Sequence, residues 1–93
     1  MTEERYASVW DAIEDTPAAA GNMKLRSVLM MALKDHIGRH GWTQAEAARR
    51  LGVTQPRVSD LMRGKVDLFG LDTLVNMAVA AGLRVALQVG EAA

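Results

Sequence analysis

The sequence predicts an all-α fold of four to five helices, followed by one extended segment. Aromatic residues make up only 4% of the 93 residues, and Ala, Leu, Val and Met supply most of the apolar side chains, a composition typical of helix bundles. Between residues 25 and 37 the apolar residues recur every three or four positions, which places them on one helix face. Threonines that can start helices and glycines that can end them then divide the chain.

The first long helix is predicted to begin at Thr16-Pro17, an N-cap followed by proline at the first helical position. It continues to about Arg39 and ends at His40-Gly41, and Gly21-Asn22 offers a place where it could be interrupted. Its buried face is predicted to comprise Leu25, Val28, Leu29, Ala32, Leu33, His36 and Ile37.

A support helix over residues 44–51 is predicted by signals on both sides. Thr43 is a suitable N-cap, and Glu46 three residues later completes a capping box. Gly52 follows the helix and can take the positive φ that closes a tight turn. Ala48 has almost no side chain, so a second helix can cross close above it.

A recognition helix over residues 55–63 follows the turn. Thr54 is a suitable N-cap, Pro56 falls in the first helical turn, where proline costs little, and Gly64 ends the helix. Two short helices joined in this way form a helix-turn-helix motif. The apolar wedge between them is predicted to consist of Leu51, Val58 and Leu61.

The C-terminal part combines a fourth core helix over residues 71–81 with a change of period. Leu83, Val85, Leu87 and Val89 alternate with other residues, which is the pattern of a β-strand. A lone strand cannot complete its backbone hydrogen bonds. We expect pairing with the same strand of a second subunit, with a neighbouring protein or the N-terminal segment as alternatives.

The predicted elements divide the chain into an N-terminal arm (1–15), a helix-turn-helix domain (16–82) and a C-terminal strand and tail (83–93), and charge is distributed unevenly along it. Net charge is zero, but residues 24–65 carry nine bases and three acids, a local excess of +6. Such a basic patch suits a polyanionic partner. The acidic arm contains the candidate partner-binding residues Val9, Trp10 and Ile13; the alternatives are a solvated tail or a staple onto the domain.

Several function classes are disfavoured by what the sequence lacks. There is no cysteine, and no apolar run reaches the roughly 18 residues of a membrane span, so we expect a cytoplasmic protein without a membrane partner. His36 and His40 have i,i+4 spacing but no third ligand, so no metal or cofactor is predicted. Because the sequence contains no recognisable set of catalytic residues, we expect that the protein is not an enzyme.

Base contacts are predicted in the recognition helix, which in such motifs enters the major groove of DNA. Arg57 could form hydrogen bonds with guanine, and Gln55 could form hydrogen bonds with adenine. Each such pair of bonds contributes about 1–3 kcal/mol of discrimination against the wrong base. Pro56 lies in the same turn, while Ser59 and Asp60 lie one turn further, where Asp60 could accept from cytosine. The alternative is that some of these residues contact only phosphate or solvent.

Phosphate contacts are predicted around the motif. Thr43 and Gln44 stand at the N-terminus of the support helix, where free N–H groups and the helix dipole favour an anion. Thr54, Arg63 and Lys65 flank the recognition helix and add affinity without sequence reading. The alternative for this group is that the residues at the helix N-termini only cap the helices and that the basic side chains are solvated. We expect Arg49 and Arg50 to be solvated or ion-paired.

The runs from Gly41 to Ala48 and from Leu51 to Gly64 resemble the λ-repressor-like (XRE) regulators and, more narrowly, the HigA-like antitoxins. Stretches 69–74, 81–85 and 8–13 also match those proteins, so the resemblance covers about residues 8–90. Gly70 departs from the family, which often has Ser there as helix cap.

The resemblance implies a λ-repressor-like DNA-binding domain that forms a homodimer on a palindromic operator and represses its own operon. It also implies a RelE/HigB-class ribonuclease toxin as partner. A stand-alone or phage-type regulator without a toxin is the main alternative. A protein-interaction adaptor with a degenerate motif is a further one.

Overall fold

The structure is a computed structural model that describes residues 17–91, and every regular element in this range is helical. The elements are α1 (Pro17–His40), α2 (Gln44–Leu51), α3 (Gln55–Met62), a 3-10 helix (Val66–Leu68) and α4 (Leu71–Ala80). The predicted all-α helix-turn-helix fold is confirmed. Within the described range, no helix is both long and apolar enough to cross a bilayer.

Helix α1 is continuous through Gly21-Asn22, where the sequence allowed an interruption. A glycine in a helix interior costs about 0.5–1 kcal/mol relative to alanine. Packing of a long helix against the rest of the domain supplies most of its stability. The local cost of one glycine therefore does not break the helix.

The buried face of α1 is rotated from the predicted one. Met30, Leu33 and Ile37 are almost fully buried, whereas Leu25 and Val28 are 47% and 58% exposed. Apolar residues occupy more than half of the helix circumference, so spacing alone did not identify the side that faces the core. Contrary to the prediction, Leu25, Val28 and Ala32 are all exposed.

The core lies where the four α-helices meet. α1 packs mainly against α4, and α2 packs against α3. Phe69, in the loop before α4, is fully buried and is the largest side chain of this core. The remaining buried residues outside α1 are Ala47, Ala48, Leu51, Val58, Leu61, Leu74, Met77 and Ala78.

The predicted C-terminal strand is not observed, because residues 83–90 form neither helix nor strand. Leu83 packs partly against the core, but Leu87 and Val89 are 78% and 81% exposed. A strand needs a neighbouring backbone to complete its hydrogen bonds, and no second strand occurs among residues 17–91. The predicted partner-binding residues Val9, Trp10 and Ile13 lie outside the described residues.

Candidate nucleic-acid interface

Thr43 caps the N-terminus of α2 as predicted, but the other half of the predicted capping box is not formed, because the Glu46 carboxylate bonds to arginines instead. The hydroxyl of Thr43 accepts a hydrogen bond from the Glu46 amide at 3.1 Å. The Glu46 carboxylate pairs with the guanidinium groups of Arg49 and Arg50, which confirms that these two arginines are ion-paired. Hydrogen bonds from both arginines hold the pKa of Glu46 below its ordinary value of 4.5. Part of the positive charge on α2 is therefore balanced on the same helix.

The turn between α2 and α3 depends on Gly52, which has φ 73° and ψ 32°, the left-handed conformation predicted for it. Its amide donates to the Ala48 carbonyl at 2.9 Å, and the Val53 amide donates to the same carbonyl at 3.0 Å. These bonds end α2 and set the direction in which the chain enters α3.

The first turn of α3 is exposed while the opposite face of the helix is buried. Thr54 caps the helix, and its hydroxyl accepts from the Arg57 amide at 3.4 Å. Gln55 and Pro56 are exposed, whereas Val58 and Leu61 are fully buried. The helix is thus held from one side, and Gln55 and Pro56 in its first turn are accessible to a partner.

The other predicted contact residues surround this turn. Ser59 and Asp60 are half-buried, and Arg63 and Lys65 are exposed just beyond the C-terminus of α3. Thr43, Gln44 and Thr54 are exposed at the two helix N-termini. Their contacts with DNA remain predictions.

Arg57 differs from its neighbours because its guanidinium is engaged within the chain. Its Nη1 donates to the Leu68 carbonyl at 3.2 Å. Its Cζ lies 4.4 Å from the centre of the Phe69 ring. The predicted guanine reader is therefore folded against the loop that precedes α4.

Arg26 of α1 contacts the same loop and was missed by the sequence analysis. Its Nη1 lies 3.4 Å from the carbonyl oxygens of Val66 and Phe69, and its Nε is buried without a partner. A signal was present, because Arg26 stands four residues before the buried Met30 and seven before Leu33, on the same helix face.

A second cluster joins the end of α1 to α2 and α4. The rings of His36 and His40 lie 4.2 Å apart, and each lies 5.2 Å from the ring of Trp42. The Arg50 guanidinium covers Trp42 at 4.8 Å, and His36 Nε2 is 3.1 Å from the Ala81 carbonyl. Among the described residues, no group of three or more His, Cys, Asp or Glu side chains could hold a metal ion.

Comparison with known proteins agrees with this geometry. Residues 12–90 match the model of a helix-turn-helix domain family. A solved structure assigned to the XRE family of transcriptional regulators is 31% identical, covers 80% of this chain and 83% of its own, and superposes with a TM-score of 0.74. No curated protein sequence matches the chain. The chain therefore belongs to the XRE family of helix-turn-helix regulators.

Proposed function

We propose that this protein is a sequence-specific DNA-binding regulator whose helix α3 enters the major groove. The observation that carries the proposal is the exposed first turn of α3, Thr54 to Pro56, on a helix anchored by the fully buried Val58 and Leu61. The major groove is about 12 Å wide and accepts one α-helix. A rigid support and a free polar turn are what base reading requires.

Gln55 is the principal base reader in this proposal. Its amide is exposed at the N-terminal end of α3 and can form two hydrogen bonds with adenine N6 and N7. Pro56 beside it supplies an apolar contact to the groove. Ser59 and Asp60, half-buried one turn later, reach toward the next base pairs.

Phosphate contacts hold the helix in register. Thr43 and Gln44 offer the exposed N-terminus of α2 to one phosphate, and Thr54 offers the N-terminus of α3. Arg63 and Lys65 are exposed at the other end of α3. These contacts add affinity and salt dependence for any DNA sequence.

Replacing Gln55 with alanine tests the base-reading role. The probes are a duplex selected from random sequence by the wild-type protein and a scrambled duplex of the same composition. We expect Q55A to lose about 5- to 150-fold of the preference for the selected duplex, corresponding to about 1–3 kcal/mol. Its melting temperature should stay unchanged because Gln55 is exposed.

The matched control is Asn76→Ala, which removes an exposed amide from α4 instead of α3. N76A should keep the wild-type preference in the same competition binding experiment. An unchanged preference in Q55A would contradict base reading by Gln55.

We further propose that the regulator binds a palindromic operator as a homodimer. One recognition helix covers one half-site, and two half-sites about 34 Å apart require two copies. Val85, Leu87 and Val89 alternate along residues 83–90 and are 38%, 78% and 81% exposed. Pairing of this segment with its counterpart in a second copy would complete its backbone hydrogen bonds and cover its apolar side chains.

A chain that ends at Arg84 tests this mode of dimerisation. It keeps Leu83, which packs against the core and whose amide donates to the Ala78 carbonyl at 2.9 Å, so the domain should stay folded. We expect this chain to sediment as a monomer and to bind the selected duplex more weakly. A truncated chain that still sediments as a dimer would refute the strand-pairing proposal.

The resemblance to HigA-like antitoxins extends the proposal to a RelE/HigB-class toxin as partner, with the protein repressing its own operon. Leu25, Val28 and Met31 support a protein partner because they form an exposed apolar surface on α1. Co-purification with a RelE/HigB-like product of a neighbouring gene would support this role. Operator binding without any such neighbour would favour the stand-alone regulator.

A further inference from the structure

Two guanidinium groups from different helices meet at the α3–α4 loop, which comprises residues 63–70. Arg57 reaches it from α3, and its Nη1 donates to the Leu68 carbonyl at 3.2 Å. Arg26 reaches it from α1, and its Nη1 lies 3.4 Å from the carbonyl oxygens of Val66 and Phe69. The loop is therefore joined to α1 and α3 through its backbone.

Arg57 also covers the aromatic ring of this loop. Its Cζ lies 4.4 Å from the Phe69 ring centre, well inside the roughly 6 Å range of a cation–π contact. Phe69 is fully buried, although Leu68 next to it is 48% exposed. The stem and guanidinium of Arg57 thus form part of the wall that separates the ring from water.

Backbone hydrogen bonds of the loop join it to itself and to α3: the Leu68 amide donates to the Lys65 carbonyl, and the Lys65 amide donates to the Asp60 carbonyl. Among the described residues, none of these backbone bonds reaches α1. The 3-10 helix of the loop spans only Val66–Leu68 and has no side-chain cap at its N-terminus. The two arginines supply donors to three carbonyl groups of consecutive or nearly consecutive residues.

We propose that Arg57 is a positioning residue that holds the recognition helix at a fixed angle to the α3–α4 loop, with Arg26 holding the loop from the other side. This inference rests on the proposed DNA-binding function and replaces the expected guanine contact. To reach a base, Arg57 would have to leave both the Phe69 ring and the Leu68 carbonyl. Gln55 then carries the reading by the first turn, and Arg57 supports binding to every DNA sequence equally.

Arg57→Met tests the role because methionine keeps an apolar cover over Phe69 but loses the donors. We expect R57M to melt about 4–8 °C below wild type without DNA. Its affinities for the selected and the scrambled duplex should fall by the same factor, so that their ratio stays within about twofold. Arg57→Lys keeps the charge without the planar fork and should recover only part of the stability.

Two outcomes would overturn the proposal. A base-reading Arg57 would cost R57M about 5- to 150-fold in the ratio of the two affinities, with an unchanged melting temperature. A phosphate-binding Arg57 would also leave the melting temperature unchanged, and would lower the slope of log affinity against log salt by about one.

Arg26→Met provides an independent arm, because Arg26 lies on α1 and outside the predicted DNA contacts. R26M should show the same uniform loss of affinity and the same fall in melting temperature. Because both arginines hold one loop, the double variant should lose less melting temperature than the sum of the single losses. Strictly additive falls in melting temperature would argue against the proposal that both arginines hold the same loop.

Failure of the proposed DNA-binding function can be distinguished from failure of the positioning role of Arg57 and Arg26. If the wild-type protein selects no duplex from random sequence, the DNA-binding function fails. The melting temperatures of R57M and R26M, measured without DNA, then test the positioning roles of Arg57 and Arg26. A fall in both supports these roles, and no fall in either refutes them.

Discussion

The helix-turn-helix and the C-terminal segment differ in local structure: residues 43–63 form two capped helices joined by a turn, whereas residues 83–90 form neither helix nor strand. In residues 43–63, caps, turn glycine and apolar spacing all agree with the observed helices. In residues 83–90, a clean alternation of apolar residues forms no strand. The difference lies in where the hydrogen-bond partners come from.

In a helix each backbone group has its hydrogen-bond partner four residues away in the same segment. In a strand the partners belong to another segment. Thr43, Gly52 and Thr54 act within one turn of their own positions. A strand over residues 85–89 would need the backbone of a second strand, and residues 17–82 form none. A local pattern therefore predicts structure reliably only when the completing contacts are also local.

The largest test of this contrast sets Leu61→Ala against Leu87→Ala. Leu61 of α3 is fully buried in the core, whereas Leu87 is 78% exposed. We expect L61A to lower the free energy of unfolding by about 2–5 kcal/mol. L87A should change it by less than about 0.5 kcal/mol at concentrations where the chain is monomeric.

Urea denaturation at several protein concentrations measures both effects. If the C-terminal segment pairs between copies, L87A should become destabilising only as the concentration rises and the dimer forms. A large loss in L87A at the lowest concentration would mean that this segment already stabilises the monomer.

A smaller test sets Gly52→Ala against Gly38→Ala. Gly52 has φ 73°, and a Cβ there would meet no atom within 4 Å, so only backbone strain opposes the alanine. We expect G52A to cost about 1–2 kcal/mol. Gly38 lies inside α1 without a positive φ and also with open space around it, so G38A should stabilise the protein by about 0.5–1 kcal/mol.

Thermal unfolding monitored by circular dichroism distinguishes the two glycine variants by the sign of their shift. G52A should also weaken binding to the selected duplex, because the turn directs the chain into α3. Equal shifts in G52A and G38A would show that the left-handed turn does not limit the stability of the motif.

Much of the fold could be predicted because its signals are local, and the exceptions are instructive. The N-caps at Thr43 and Thr54 required only the neighbouring residues. The buried side of α1 could not be found in this way, since Leu25 and Met30 are both apolar and only contacts with other helices distinguish them. The candidate site also combines local and tertiary effects. The position of Gln55 in the motif predicts that its side chain is exposed, as observed. The contacts of Arg57 with Leu68 and Phe69 could not be predicted from the motif.

The amino-acid sequence by itself determined the helix-turn-helix, because caps, turn and apolar wedge act over one or two helical turns. It also determined the basic character of residues 24–65. Only the tertiary structure decided which face of α1 is buried and brought Arg26 and Arg57 onto the loop around Phe69. These contacts join residues 11 to 43 positions apart, and a guanidinium can serve as a base reader or as a joint depending on what the fold brings within its reach.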